Sequence, residues 1–200
     1  MVLQKEQSLN LVFNDDKTFN KLYPLNIQQK AAKHWTRLEV AKAAADFLAP
    51  HKDAHVLDIG SGVGKFCIAA AHHKPKAVFY GVEQRKDLVQ HAINCSSQVG
   101  VYNVSFIHGN FTQLDLRQFN SFYFYNSFYE NIVFADKIDD RIEYSSSLFN
   151  YYNRYLYKQL EQMPTGTRIA TFHSLEEEIP PAYSVVKTGF EGLLKFWIKV

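Results

Sequence analysis

No apolar run in this chain approaches the roughly 20 residues needed to cross a bilayer as a helix, so no membrane-spanning segment is expected. The N-terminal stretch MVLQKEQSLNLVFNDDKTFN lacks an apolar core flanked by basic residues, and no signal peptide is legible in it. Cysteine is scarce. Cys67 and Cys95 are the only two; both fall in predicted helices and lack the close spacing of a redox or zinc pair. A reduced, cytoplasmic setting is the simplest account. Excess charge is missing as well. A formal net charge of +2 gives no electrostatic argument for nucleic-acid binding, although it leaves room for a local basic patch. The eight histidines make no metal site: His72 and His73 are adjacent on a helix and point apart, while His51 and His55 lack a spaced cysteine or acid. There is no internal repeat and no low-complexity segment.

What is present is an ordinary globular balance, 46% apolar and 21% charged over 200 residues, enough for one domain with a substantial core. Sixteen Phe and twelve Tyr point to a ring-rich core, with an aromatic pocket as the functional alternative. Residues 1–24 read as an N-terminal arm or flap with scattered apolar anchors at Leu11, Phe13, Phe19 and Leu22. From Pro24, apolar residues recur at threes and fours through Ile27, Trp35, Leu38, Ala41 and Leu48, predicting a helical region over 25–50, as one helix or two short ones. Residues 55–200 then alternate strand and helix. Parallel strands are predicted at 55–59, 77–82, 103–107, 121–125 and 168–172, with a long helix at about 141–162. The tail, 183–187 and 193–199, has no room for a crossover helix and should pair antiparallel. The fold class is therefore α/β with a mixed sheet closed by a C-terminal hairpin.

The chain is organised around HVLDIGSGVGKFC, residues 55–67: a buried strand, a glycine turn and a helix N-terminus. Such a corner admits a ligand close to the backbone. A triphosphate-binding loop needs Gly, four residues, then Gly-Lys-Ser/Thr, but Ile59 stands at the first glycine and Phe66 at the hydroxyl. The dinucleotide fingerprint Gly-x-Gly-x-x-Gly/Ala meets Lys65 at its third small position, which weakens a nicotinamide reading. The spacing Gly60-x-Gly62-x-Gly64 suits S-adenosylmethionine better. Asp58 can face the cationic end of that ligand, Glu83 can accept from both ribose hydroxyls, and Asn110 can bond the adenine edge with Ile107 and Phe111 on the ring faces.

Val56 to Phe66, together with Glu83, His108-Gly109-Asn110 and Phe124-Tyr125-Asn126, resembles the class I S-adenosylmethionine-dependent methyltransferases over roughly residues 30–200. The resemblance implies a Rossmann-like, seven-stranded sheet whose last strand inserts antiparallel beside the fifth. The same segments are distantly similar to the nucleosomal-lysine methyltransferase domain. Asn126-Ser127-Phe128-Tyr129 lies where amino-group methyltransferases of nucleobases or glutamine carry Asp/Asn-Pro-Pro-Tyr/Phe. Ser127 and Phe128 replace both prolines, so a rigid turn is not expected there.

The candidate cofactor-binding set is Asp58, Gly60, Ser61, Gly62, Gly64, Glu83, Gln84, Asn110, Phe111 and Asn126. Asn126 and Tyr129 are the catalytic candidates, and no metal is assigned. His108 and His173 are conceivable bases, Trp35-Thr36-Arg37 a possible closure over the cofactor, and Glu130 and Asn131 entrance residues. No Pro-Cys dipeptide occurs and neither cysteine lies at a strand end, which excludes methylation of a cytosine carbon through a cysteine nucleophile. The expected acceptor is an N or O atom of unidentified class, a protein lysine or another amine among the candidates. The alternatives are a non-catalytic adenosyl-ligand-binding or protein-interaction domain and an NAD-dependent oxidoreductase.

Overall fold

The computed structural model describes residues 11–132, 137–139, 141–174 and 176–200. Its strands are His55–Ile59 (β1), Val78–Glu83 (β2), Val104–His108 (β3), Ser121–Tyr125 (β4), Arg168–Phe172 (β5), Tyr183–Gly189 (β6) and Leu194–Lys199 (β7). The helices are Asp16–Asn20 (α1), Leu25–Gln28 (α2), Ala31–His34 (α3), Leu38–Leu48 (α4), Lys65–His73 (α5), Lys86–Gln98 (α6) and Ser146–Gln162 (α7). The strands form a seven-stranded sheet in the order β3-β2-β1-β4-β5-β7-β6. All pairings from β3 to β5 are parallel, while β7 runs antiparallel between β5 and β6. This is the α/β arrangement expected from the sequence, including the inserted last strand.

The inner strands are covered on both faces, which explains why they read as short unbroken apolar runs. Val56, Phe79, Tyr123, Ala170 and Phe196 face one way and pack with α4, α5 and α6. Leu57, Ile59, Phe122, Phe124 and Trp197 face the other, beneath Tyr152, Leu156 and Leu160 of α7. Because β1 pairs with both β2 and β4 (Asp58 opposite Gly81 and Tyr123), the chain leaves β1 and β4 on adjacent strands but in opposite sheet directions. That reversal opens a crevice at the carboxyl edge, the ligand position in open α/β sheets.

Three expectations change in detail. Of the expected N-terminal arm or flap, residues 1–10 lie outside the described residues and 11–24 are packed on the domain: Phe13, Phe19 and Tyr23 are buried, and Tyr23 Oη donates to the Val63 carbonyl at 3.0 Å. Asp16 joins this segment to the core, accepting from the Leu38 backbone N–H at 3.0 Å and from Lys65 Nζ at 2.5 Å. The helical region 25–50 divides into α2, α3 and α4, broken at Trp35, which is extended with φ −110° and ψ 131°. Its ring packs edge-on to Tyr23, with centroids 4.8 Å apart. Finally, α7 begins at Ser146 rather than near residue 141, because the Ser145 hydroxyl accepts from Leu148 N at 3.1 Å and caps it there.

Candidate active site

Gly60, Gly62 and Gly64 all sit in the left-handed region, with φ of 78°, 53° and 77°. At Gly64 a Cβ would lie 2.5 Å from the Phe106 ring and 2.7 Å from Ala92 Cβ, so only glycine lets α5 seat against its neighbours. Gly64 thereby performs the tight-packing task that a dinucleotide motif gives to the next position. Lys65 turns away instead, its Nζ held by Asp16 at 2.5 Å and Asn20 at 2.8 Å. A Cβ on Gly62 would meet nothing within 4 Å. Gly62 is thus bare backbone at an open cavity.

That cavity has a volume of about 530 Å³ and lies over the carboxyl ends of β1, β2 and β4. Of the sequence-derived candidates, Gly60, Gly62, Glu83, Gln84, Phe111, Asn126 and Tyr129 line it. Glu83 is buried; its Oε2 accepts from Gly62 N at 3.1 Å, and its Oε1 accepts from Arg85 N at 2.9 Å and Arg85 Nη1 at 3.2 Å. Burial raises the Glu83 carboxyl pKa, and the Arg85 charge opposes the rise.

Asp58 takes a different position. It lies in a recess of about 30 Å³ beside Gly60, Thr36, Trp35 and Tyr123, where Cys67 Sγ donates to its Oδ2 at 3.5 Å. Burial pushes its pKa up to about 8, with the Glu83 charge adding to the rise against the Cys67 hydrogen bond. Ser61 Oγ, in the same recess, is buried without a partner among the described residues. Asn110 caps the turn Phe111–Gln113: its Oδ1 accepts from Thr112 N at 3.1 Å, and its Nδ2 donates to Tyr152 Oη at 2.9 Å and Gln84 Oε1 at 3.3 Å. Phe111 is stacked on Phe128, with centroids 5.1 Å apart.

After β4 the chain turns sharply at Asn126, which has φ 47°. Its Oδ1 is buried and has no hydrogen-bond partner among the described residues. A hydrogen-bonded turn forms here without the prolines. Tyr129 N donates to Asn126 O at 3.0 Å, and Asn131 Nδ2 donates to Phe128 O at 3.0 Å. Ser127 Oγ donates to the Ile59 carbonyl at 2.5 Å, tying the turn to the end of β1. His173, also left-handed at φ 60°, lines the same cavity, whereas His108 bonds the Gln84 carbonyl at 3.1 Å and faces outside it.

Arg85 is the residue that sequence reasoning missed. Its guanidinium is buried and donates to Glu83, to Glu130, to Tyr144 Oη at 2.5 Å and to Asp139 Oδ1 at 3.3 Å. Burial alone would lower its pKa, but Glu130, Glu83, Tyr144 and Asp139 together raise it. Burial and the Glu130 charge push Tyr144 up to about 12. Asp139 falls to about 2, since hydrogen bonds from Arg141 and the Arg85 charge outweigh its burial. The only local signal was a cation two residues beyond Glu83. Among the described residues no group of three His, Cys, Asp or Glu side chains could hold a metal, and no helix is long and apolar enough to cross a membrane.

Comparison with known proteins bears on this geometry. A methyltransferase-domain family model matches residues 50–160, more than half of the chain. A tRNA (guanine-N(7)-)-methyltransferase of Synechococcus sp. is 43% identical over 54 residues, 27% of this chain and only 23% of that relative. An RNA methyltransferase from Salinibacter ruber, solved with S-adenosyl-L-homocysteine, superposes with a TM-score of 0.56 at 20% identity, over 82% of this chain and 92% of the other. The magnesium protoporphyrin IX methyltransferase of Synechocystis PCC 6803, solved with bound S-adenosylmethionine, gives a TM-score of 0.59 at 15% identity, over 98% and 97%. At those identities the two solved structures establish the fold. With the family match and the glycine corner, they place this chain in the class I S-adenosylmethionine-dependent methyltransferase family.

Proposed function

We propose that the protein binds S-adenosylmethionine in the cavity over β1, β2 and β4 and methylates a nitrogen of a nucleobase in RNA. The observation that carries the reading is Asn126: a strained residue on the cavity wall whose buried Oδ1 has no partner among the described residues. An orphaned buried acceptor is costly, and turning the Asn126 amide toward the cavity it lines would let a planar N–H donor from a substrate satisfy it. The residues present fit the cofactor. The volume of about 530 Å³ suits a ligand of that size, Gly62 leaves the backbone bare, and the Glu83 carboxylate, held at the wall by three hydrogen bonds, keeps one acceptor site on Oε2 for a ligand hydroxyl.

Bound S-adenosylmethionine supplies an electrophilic methyl group. The protein's own part is orientation. Asn126 Oδ1 accepts from the acceptor base and Tyr129 offers a ring beside it, while Ser127 locks the turn to β1. Correct placement of a lone pair opposite the methyl carbon supplies much of the rate. Both cysteines are buried in helices, and attack by a base nitrogen lone pair is a chemistry that needs no cysteine nucleophile.

RNA as the acceptor class is supported by the names of the Synechococcus and Salinibacter ruber proteins. It departs from the expectation based on net charge, which described the whole chain and not the mouth of the site. Transfer of labelled methyl from S-adenosylmethionine to total RNA, protein extract and small metabolites tests the reading. RNA should be labelled by the wild type and not by Asn126→Ala. Label appearing only in protein or metabolites, or undiminished by the substitution, would remove it.

A further inference from the structure

Asn126 has a counterpart on the neighbouring strand. β4 and β5 run parallel with Tyr125 opposite Phe172. The next residues, Asn126 and His173, therefore leave adjacent strands at the same level, in a sheet whose strands lie about 4.8 Å apart. Both turn at a left-handed φ, 47° and 60°. Among the described residues the only other non-glycine positions in that region are Phe190 and Glu191, which make the turn between β6 and β7. Strain of this kind persists where the surroundings over-determine it, and it gathers at functional sites.

His173 is held from two sides. Its backbone N–H donates to Leu193 O at 3.0 Å. Its ring stands edge-on to Phe172, with centroids 4.4 Å apart, and lies 5.5 Å from the Tyr125 ring. It lines the cavity together with Asn126, and its imidazole nitrogens have no hydrogen-bond partner among the described residues. Partial burial, and then the Arg37 charge, lower its pKa from the ordinary 6.5. Arg37 itself pairs with Glu39 at 3.0 Å. Of the other titratable groups near the ring, Tyr125 is kept neutral by burial, and Lys33, His34 and Glu130 line the same cavity. At pH 7 the imidazole is thus uncharged, with a lone pair available at the cavity wall.

We propose that His173 is a catalytic residue, the base that takes the proton from the acceptor nitrogen. This rests on the reading that the cavity methylates a nitrogen. The acceptor nitrogen forms its bond to the methyl carbon with its own lone pair as the carbon–sulfur bond breaks, and the electron pair of that bond leaves on sulfur. The nitrogen is then positive. Its N–H bond breaks, the electron pair stays on nitrogen, and the proton passes to the imidazole and on to solvent, which reaches the exposed His173. A base is of use only where the acceptor nitrogen carries hydrogen. An exocyclic amino group does, and it is also a planar N–H donor of the kind that would satisfy Asn126.

The test follows methyl transfer from labelled S-adenosylmethionine, in saturating amount, to total RNA between pH 5 and 8, for the wild type and His173→Asn. Asparagine tolerates a left-handed φ, so this variant keeps the turn. An NMR titration of the imidazole Cε1–H, assigned by its loss in His173→Asn, reads the base without turnover. Its midpoint should lie below the ordinary 6.5 and coincide with the acid limb of the wild-type kcat. His173→Asn should lower kcat by about 10²-fold, abolish that limb and leave KM for RNA within threefold. Unchanged kcat, an acid limb that survives the substitution, a midpoint away from the limb, or a rise in KM alone overturns the proposal. Label in protein or metabolites in place of RNA removes the RNA reading, and the same comparison on that acceptor still decides the base. Transfer to no fraction overturns both.

Discussion

Arg85 and Glu83 are joined twice, by the Arg85 backbone N–H at 2.9 Å and by its guanidinium at 3.2 Å, both to the same carboxylate oxygen. The second Glu83 oxygen holds Gly62 of the corner at 3.1 Å. Glu83 is therefore set in place from both sides. Arg85 in turn reaches Glu130 on the Asn126 turn, so one guanidinium links the end of β2 to the turn that follows β4.

Replacing Arg85 tests that linkage. Arg85→Met leaves Glu83, Glu130 and Asp139 without their shared cation. Breaking a buried ion cluster from one side costs about 3–5 kcal/mol. Urea denaturation should report a loss of that order, with Arg85→Lys recovering part of it. A loss under about 1 kcal/mol would mean that the carboxylates are solvated without Arg85.

The corner glycines separate fold from function. Gly64→Ala forces a Cβ to within 2.5 Å of Phe106 at a left-handed φ, and should destabilise the protein by about 2–4 kcal/mol. Gly62→Ala meets no atom within 4 Å and should cost only the backbone strain, about 1–2 kcal/mol. It should nevertheless abolish cofactor binding. Denaturation and ligand titration on the two variants should therefore rank them in opposite order.

Much of this was legible locally. Strands β1, β4 and β5 announce themselves as apolar runs bounded by turn residues, and the corner carries its own chemistry within residues 55–67. What could not be read depends on distant partners. Arg85 meets Glu130, Asp139 and Tyr144 across 45, 54 and 59 positions. Lys65 finds Asp16 across 49, which turns the supposed arm into part of the core. The Asn126 turn was judged loose because rigidity was sought in proline, whereas Ser127 secures it to Ile59 across 68 positions.

Asn126 should show a trade between stability and activity. Asn126→Gly relieves the left-handed φ and deletes the unpartnered amide oxygen. Thermal stability should be unchanged or higher, by up to about 1 kcal/mol. Methyl transfer should fall on the order of 10²-fold for loss of acceptor orientation, with cofactor affinity retained. A variant that transfers normally would deprive Asn126 of its role.

Asp58 predicts a pH dependence. Its pKa rises from an ordinary 3.8 to about 8 on folding, so the folded state holds a proton that the unfolded chain releases. Its stabilising contribution is full below about pH 4 and is lost as pH rises through about 8. Asp58→Asn, which cannot ionise, should gain on the wild type in melting temperature steadily between pH 5 and 8. A constant difference over that range would show that Asp58 is ionised throughout.

The central claim is that the glycine corner and Glu83 hold S-adenosylmethionine rather than a dinucleotide. Isothermal titration of the wild type with S-adenosylhomocysteine and with NAD, repeated on Glu83→Ala, measures it directly. The account predicts one site for the sulfur ligand, lost or weakened at least 10-fold by Glu83→Ala, and no comparable heat from NAD. Well-folded protein that binds NAD in preference, or that binds S-adenosylhomocysteine equally well without the Glu83 carboxylate, would contradict it.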